Sequence, residues 1–100
     1  LRIIKRSSLI AFWEKHPETE QSLRAWFDRT KKANWLTTQD VLNDFSTAKV
    51  IKGERVRFKI HGNDYRLIVS FKMSAGIAWI KFIGTHEEYD KIDATTIDQF

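Results

Sequence analysis

One hundred residues, 42% of them hydrophobic and 13% aromatic, are enough for one core, so a single folded domain over residues 1–100 is expected rather than a disordered chain. Cysteine is absent and the three histidines, His16, His61 and His86, are scattered without ligand spacing, which argues against disulfides, thiolate centres and any metal or cofactor. A net charge of +4 leans towards an anionic partner, while no run approaches a membrane span and Leu9–Trp13 is too short for a signal-peptide core, so a cytoplasmic protein without a membrane partner is expected.

Arg2-Ile3-Ile4-Lys5 is a β-branched run with the character of a strand. Ser7 or Ser8 then caps a helix whose Leu9, Phe12 and Trp13 recur at helical spacing. His16-Pro17 ends it, because the residue before proline avoids the helical region. Pro17 suits the first position of the next helix. Glu18 and Glu20 in its first turn, and Lys31-Lys32 in its last, complement the helix dipole. Leu23, Trp26 and Phe27, extended by Thr30, form the inward stripe, and Asn34 is the stop. Thr37 or Thr38 caps a third, shorter helix to Asp44, with Val41, Leu42 and Phe45 turned inwards. Lys49–Lys52 reads as strand or loop, and Gly53-Glu54 turns the chain.

The second half is β. Residues 55–60 alternate strictly, with Val56, Phe58 and Ile60 on one face and Arg55, Arg57 and Lys59 on the other. His61-Gly62-Asn63-Asp64 is a hairpin turn with Gly62-Asn63 as its tip, and a strand over 65–72 follows. Pairing Ile60 with Tyr65, Phe58 with Leu67 and Val56 with Val69 puts all the apolar partners on one side. A turn at 73–76 leads to a central strand over 77–83. Continued pairing sends Ala78, Ile80 and Phe82 to the apolar face, and Trp79, Lys81 and Ile83 to the other.

Lys59 then lies opposite Arg66, with Arg55, Arg57 and Lys81 nearby and no acidic residue on the three strands of that face. Like charges facing each other are unfavourable in a sheet, so folding alone gives no reason for the arrangement, whereas a bound polyanion does. Arg55, Arg57, Lys59 and Lys81 are candidate RNA phosphate contacts, Trp79 a candidate base-stacking residue and Asn63 a weaker contact at the turn. Asn63 is better explained by the backbone conformation of the turn than by contact, and a tryptophan at the position of Trp79 more often serves packing. Arg66 stands apart, because a guanidinium can hold a phosphate bidentately.

After this strand, Thr85 and Glu88 form a capping-box pattern that opens a short helix, placing His86, Tyr89 and Asp90 on one side. An imidazole exchanges protons near neutral pH, and a phenol beside cations can act as a base. Together with Lys91 and Arg66 they make the kit for metal-free RNA cleavage. A base takes the 2′-hydroxyl proton, cations hold the charged phosphorane, and an acid protonates the leaving oxygen. The same face also suits an RNA-binding module without catalysis, or a protein that meets an acidic partner.

The segments Arg57-Phe58-Lys59-Ile60-His61-Gly62-Asn63-Asp64-Tyr65-Arg66-Leu67-Ile68 and Phe82-Ile83-Gly84-Thr85-His86-Glu87-Glu88-Tyr89-Asp90-Lys91-Ile92 resemble the HigB-type toxins of bacterial toxin–antitoxin modules, in the RelE-like group. The likeness extends to the Arg2-Ile3-Ile4 start and to the Trp26-Phe27 and Asn34-Trp35 pairs. It implies an α+β fold, with two to three helices on one face of a mainly antiparallel sheet and a short C-terminal helix. It also implies a messenger-RNA endonuclease, often acting on ribosome-bound message, restrained by a helix-turn-helix antitoxin. Arg66, His86, Tyr89 and Lys91 carry over as catalytic candidates, and Asn63 as a further one. Lys59 departs from the usual asparagine and Thr38 from a frequent proline.

Overall fold

The computed structural model describes residues 1–100 and shows an α+β fold. Strand β1 (Arg2–Ile4) leads into α1 (Arg6–Lys15), a 3-10 turn (Pro17–Thr19) and α2 (Glu20–Lys32). Then come α3 (Thr38–Asp44), β2 (Lys49–Lys52), β3 (Arg55–Ile60), β4 (Tyr65–Lys72), a second 3-10 turn (Met73–Ala75), β5 (Ile77–Thr85) and α4 (His86–Asp90). The sheet order is β1-β5-β4-β3-β2. Only β1 runs parallel to its neighbour, β5.

Several local rules operate as expected. Thr37 caps α3 with a reciprocal bond from Asp40, and Leu23, Trp26 and Thr30 are the buried stripe of α2. Others are corrected. Neither Ser7 nor Ser8 caps α1. The chain passes from β1 to α1 through Lys5 alone, in a left-handed conformation (φ 74°), and Ser8 Oγ donates back to the Lys5 carbonyl at 2.5 Å. Pro17 opens the 3-10 turn rather than α2 itself, and Thr19 Oγ1 ties that turn to the His16 carbonyl at 2.7 Å. Lys49–Lys52 is a strand at the sheet edge.

The three long helices cover one sheet face. Leu9, Leu23, Val41, Val56, Leu67 and Val69 are wholly buried there. Trp26 meets Phe58 edge-on at 5.4 Å, and Phe58 meets Phe45 at 5.1 Å, spacings favourable for aromatic pairs. The hairpin register is as read from the sequence: Val56 opposite Val69, Phe58 opposite Leu67, Lys59 opposite Arg66.

The β4–β5 register departs from the simple reading. Val69 pairs with Ile80, but Ile68 pairs with Phe82, so Lys81 is an extra residue in β5 and forms a bulge. Beyond it every side chain changes face. Ile83 joins the helix-side core, whereas Phe82 lies with Ile68 on the opposite face, hereafter the open face. Ile68 and Phe82 are the two buried hydrophobic residues outside the main core cluster. The bulge also brings Gly84 opposite Arg66. A Cβ at Gly84 would come within 2.7 Å of the Phe82 ring, so any other residue there would force the buried ring to shift.

Candidate functional site

The site is built where β3, β4 and β5 end together and the chain enters α4. Thr85 Oγ1 accepts from the Glu88 amide at 3.1 Å, and Glu88 Oε1 accepts from the Thr85 amide at 2.8 Å, which fixes the start of α4. The His86 amide donates to the Asp64 carbonyl at 3.0 Å, tying the helix to the β3–β4 turn. Asn63, Asp64, Tyr65, Thr85, His86 and Glu87 line an open cleft between them.

His86 Nδ1 lies 3.3 Å from Asp90 Oδ2, and both side chains are about half exposed. With Nδ1 engaged by the carboxylate, Nε2 is the nitrogen free to exchange a proton. Tyr89 is half-buried against Phe82, with ring centres 6.3 Å apart. Lys91 ends α4 with an exposed side chain.

Arg66 is 4% exposed, one of only three buried polar residues. Its Nη1 donates to the Asn63 carbonyl at 2.7 Å and its Nη2 to Asn63 Oδ1 at 2.8 Å, while Nε has no partner. Burial, and then the nearby Arg57 cation, pulls Arg66 below the ordinary guanidinium range; Tyr89 and Asp90 act in the opposite sense. Arg66 is therefore a fixed cation beneath α4 rather than an open fork.

Asn63 belongs to this arrangement for its side chain. Positive φ falls on His61 (54°) and Gly62 (64°) and not on Asn63, so the backbone reading of Asn63 is replaced by its two bonds to Arg66.

The structure thus brings together Arg66, Asn63, His86, Tyr89 and Lys91 at one end of the sheet. The other sequence candidates are spread along it. Arg55 is four residues down β3 from Lys59, about 13 Å in a strand. Its Nη1 donates to the carbonyls of Ala94 (3.3 Å) and Ile97 (2.8 Å). Arg57 Nη2 donates to the Thr47 carbonyl at 3.1 Å, and Lys81 Nζ pairs with Asp98 at 3.3 Å. Trp79 is half-buried, paired across the ladder with Ser70, and Lys59 is exposed. No acidic residue lies on the three strands themselves, as expected, but residues 93–99 cross that face and bring Asp98 to Lys81.

A second cluster escaped the sequence reading, which found in His16 and His61 only histidines without ligand spacing. The Tyr65 hydroxyl donates to Glu18 and lies 3.4 Å from His16 Nδ1, while His16 stacks on Phe12 at 4.4 Å. His61 Nδ1 pairs with Asp64 at 3.0 Å. The two Tyr65 contacts join residues 47 and 49 positions apart, and no local spacing signals them.

The Tyr65 bond holds the Glu18 carboxyl below its ordinary 4.5 and, with burial, pushes the phenol up to about 12. The carboxylate contribution is present above pH 4.5 and is lost as the pH falls through the lowered value. The phenol contribution is present below pH 10.0 and is lost as the pH rises towards 12. Tyr65→Phe is expected to flatten both flanks of the urea midpoint measured against pH. Flanks as steep as the parent's would show that the bond does not form in solution.

Comparison with curated proteins finds no match. A family model does match, over residues 19–92, which takes in every element from the end of the first 3-10 turn to α4 and the whole of the cleft. The chain accordingly belongs to the HigB_toxin family, the RelE-like toxic component of a toxin–antitoxin system.

Proposed function

We propose that this toxin is an endoribonuclease that cleaves messenger RNA without a metal ion, acts on ribosome-bound message and so inhibits translation. The observation that carries the reading is the His86–Asp90 pair on the rim of an open cleft, on the same short helix as Tyr89 and beside the buried Arg66 cation.

A cleaving step needs three things from the protein. Tyr89 as its phenolate, or Lys91 as its neutral amine, takes the proton of the 2′-hydroxyl as that oxygen attacks the phosphorus. Arg66, with Lys59 towards solvent and with Lys91 as ammonium where Tyr89 is the base, offsets the negative charge that grows on the phosphorane oxygens. His86 gives its proton to the departing 5′-oxygen, and the carboxylate of Asp90 keeps the ring oriented for that transfer. The products are a 2′,3′-cyclic phosphate and a 5′-hydroxyl. Every proton has an origin and a destination among these side chains.

As the toxin of a toxin–antitoxin system, the chain has an antitoxin as its partner. We place it in the cytoplasm beside a helix-turn-helix antitoxin, touching DNA only through that complex. No helix of the chain is long and apolar enough to cross a membrane.

Purified toxin tests the reading on a defined message, free in EDTA and bound to ribosomes in magnesium. Fragments with cyclic-phosphate and 5′-hydroxyl ends are expected in both arms. Intact RNA that nevertheless binds in a salt-dependent way would make the protein a binding module, and RNA neither bound nor cut would reject both readings.

A further inference from the structure

Residues 93–99 follow α4 and lie just beyond the segment matched to the family. Asp93 starts them off by accepting from the Thr95 amide (2.9 Å) and hydroxyl (2.6 Å), which turns the chain back over the open face. There the carbonyls of Ala94 and Ile97 accept from the Arg55 guanidinium. Asp98 pairs with Lys81. The Gln99 amide then donates to the Lys81 carbonyl at 2.9 Å, and the Ile83 amide donates to Gln99 Oε1 at 3.0 Å. These last bonds use the edge of β5 beyond Trp79, where β1 has already ended. Phe100, itself exposed, borders a groove that it lines together with Ser8, Ala11, Phe12 and Lys15.

The bonding has a particular chemistry. Two carbonyl oxygens on one guanidinium and a carboxylate on an ammonium are what phosphate oxygens offer to the same cations. We propose that residues 93–99 are a self-bound strap that competes with single-stranded RNA for Arg55 and Lys81, so that RNA gains these two cations only when the strap lifts. The inference rests on the RNA reading above, since it names the ligand the strap excludes.

The strap is suited to lifting. Its anchors are bonds at or near the surface, each of modest net strength, and the Asp98 carboxylate is 59% exposed and open to screening by salt. Elsewhere on the open face, Arg57 and Arg66 each keep a buried Nε–H without a partner, so that face holds unspent donors.

Two variants separate the open and closed strap. Asp98→Asn with Gln99→Ala removes the ion pair and the side-chain bond to β5. Asp28→Asn, on the far side of α2, controls for the lost charge. Ala11→Cys with Phe100→Cys, joined by a reducible bis-thiol linker, holds the strap down, and the chain has no other thiol. Binding is measured with a 2′-O-methyl RNA that cannot be cleaved.

Freeing the strap is expected to tighten binding roughly tenfold at low salt and to steepen the plot of log affinity against log salt by about 1.4, two phosphates at about 0.7 each. Linking it down is expected to reverse both effects, and reducing the linker to restore them. Equal affinity and slope in the freed, linked and control proteins would overturn the strap while leaving the RNA reading standing. Absence of binding in all of them would overturn both.

Discussion

Replacing Arg66 with methionine is expected to lower RNA cleavage by about 10²- to 10³-fold, the loss typical when one fixed donor or cation is withdrawn from a developing negative charge. The fold should survive it. Arg66 is 4% exposed, its Nε–H is unpartnered, and Arg57 stands close by, so the guanidinium is an incompletely satisfied buried cation. Methionine keeps much of the stem and removes that burden, and the unfolding free energy is expected to change by no more than about 1 kcal/mol. Arg66→Lys should be almost as inactive, because a compact ammonium cannot reach both acceptors of Asn63 in the planar geometry seen at 2.7 and 2.8 Å. Single-turnover cleavage and urea denaturation on the same preparations decide it. Parent-like cleavage by Arg66→Met would take the phosphate role away from this side chain.

The hairpin that carries Arg66 could be read in advance because its alternation is strict. Shifting Val56, Phe58 and Ile60 by one residue would expose all three, so one register alone buries them. The bulge at Lys81 could not be read in the same way. Ile80, Phe82 and Ile83 are apolar on either side of it, and a strand buried on both faces loses no burial when the register slips. Its consequence is large: it turns Phe82 towards α4, places glycine opposite Arg66 and presents the Lys81 carbonyl to Gln99.

The candidate site divides along the same line. His86, Tyr89 and Lys91 announce themselves by residue type and by the Thr85–Glu88 cap, both local properties. What lies over Arg55 is not local and has no side-chain signature, since Ala94 and Ile97 act through their carbonyl oxygens, which every residue possesses. Asn63 was recognisable as a turn residue, but its role depends on where the Arg66 side chain folds, three residues later. Glu18 and Tyr65 meet only because α1 returns the chain to the start of β4.

His86 tests the chemistry itself. His86→Ala is expected to slow cleavage by about 10²- to 10⁴-fold, the range for loss of a positioned proton donor. The ring is half exposed and its one polar contact is the surface pair with Asp90. Stability should therefore change by less than about 0.5 kcal/mol, which separates this variant from any that merely unfolds. Added imidazole should restore part of the rate to His86→Ala, because the vacated rim of the cleft is open to solvent. Asp90→Asn should lose less, since it keeps the ring and removes only the carboxylate that orients it. A substrate carrying a better leaving group at the 5′-oxygen needs no acid, so it should be cut at similar rates by parent and His86→Ala. If that substrate still distinguishes them, His86 acts on the 2′-hydroxyl side, and the donor must be sought at Tyr89 or Lys91.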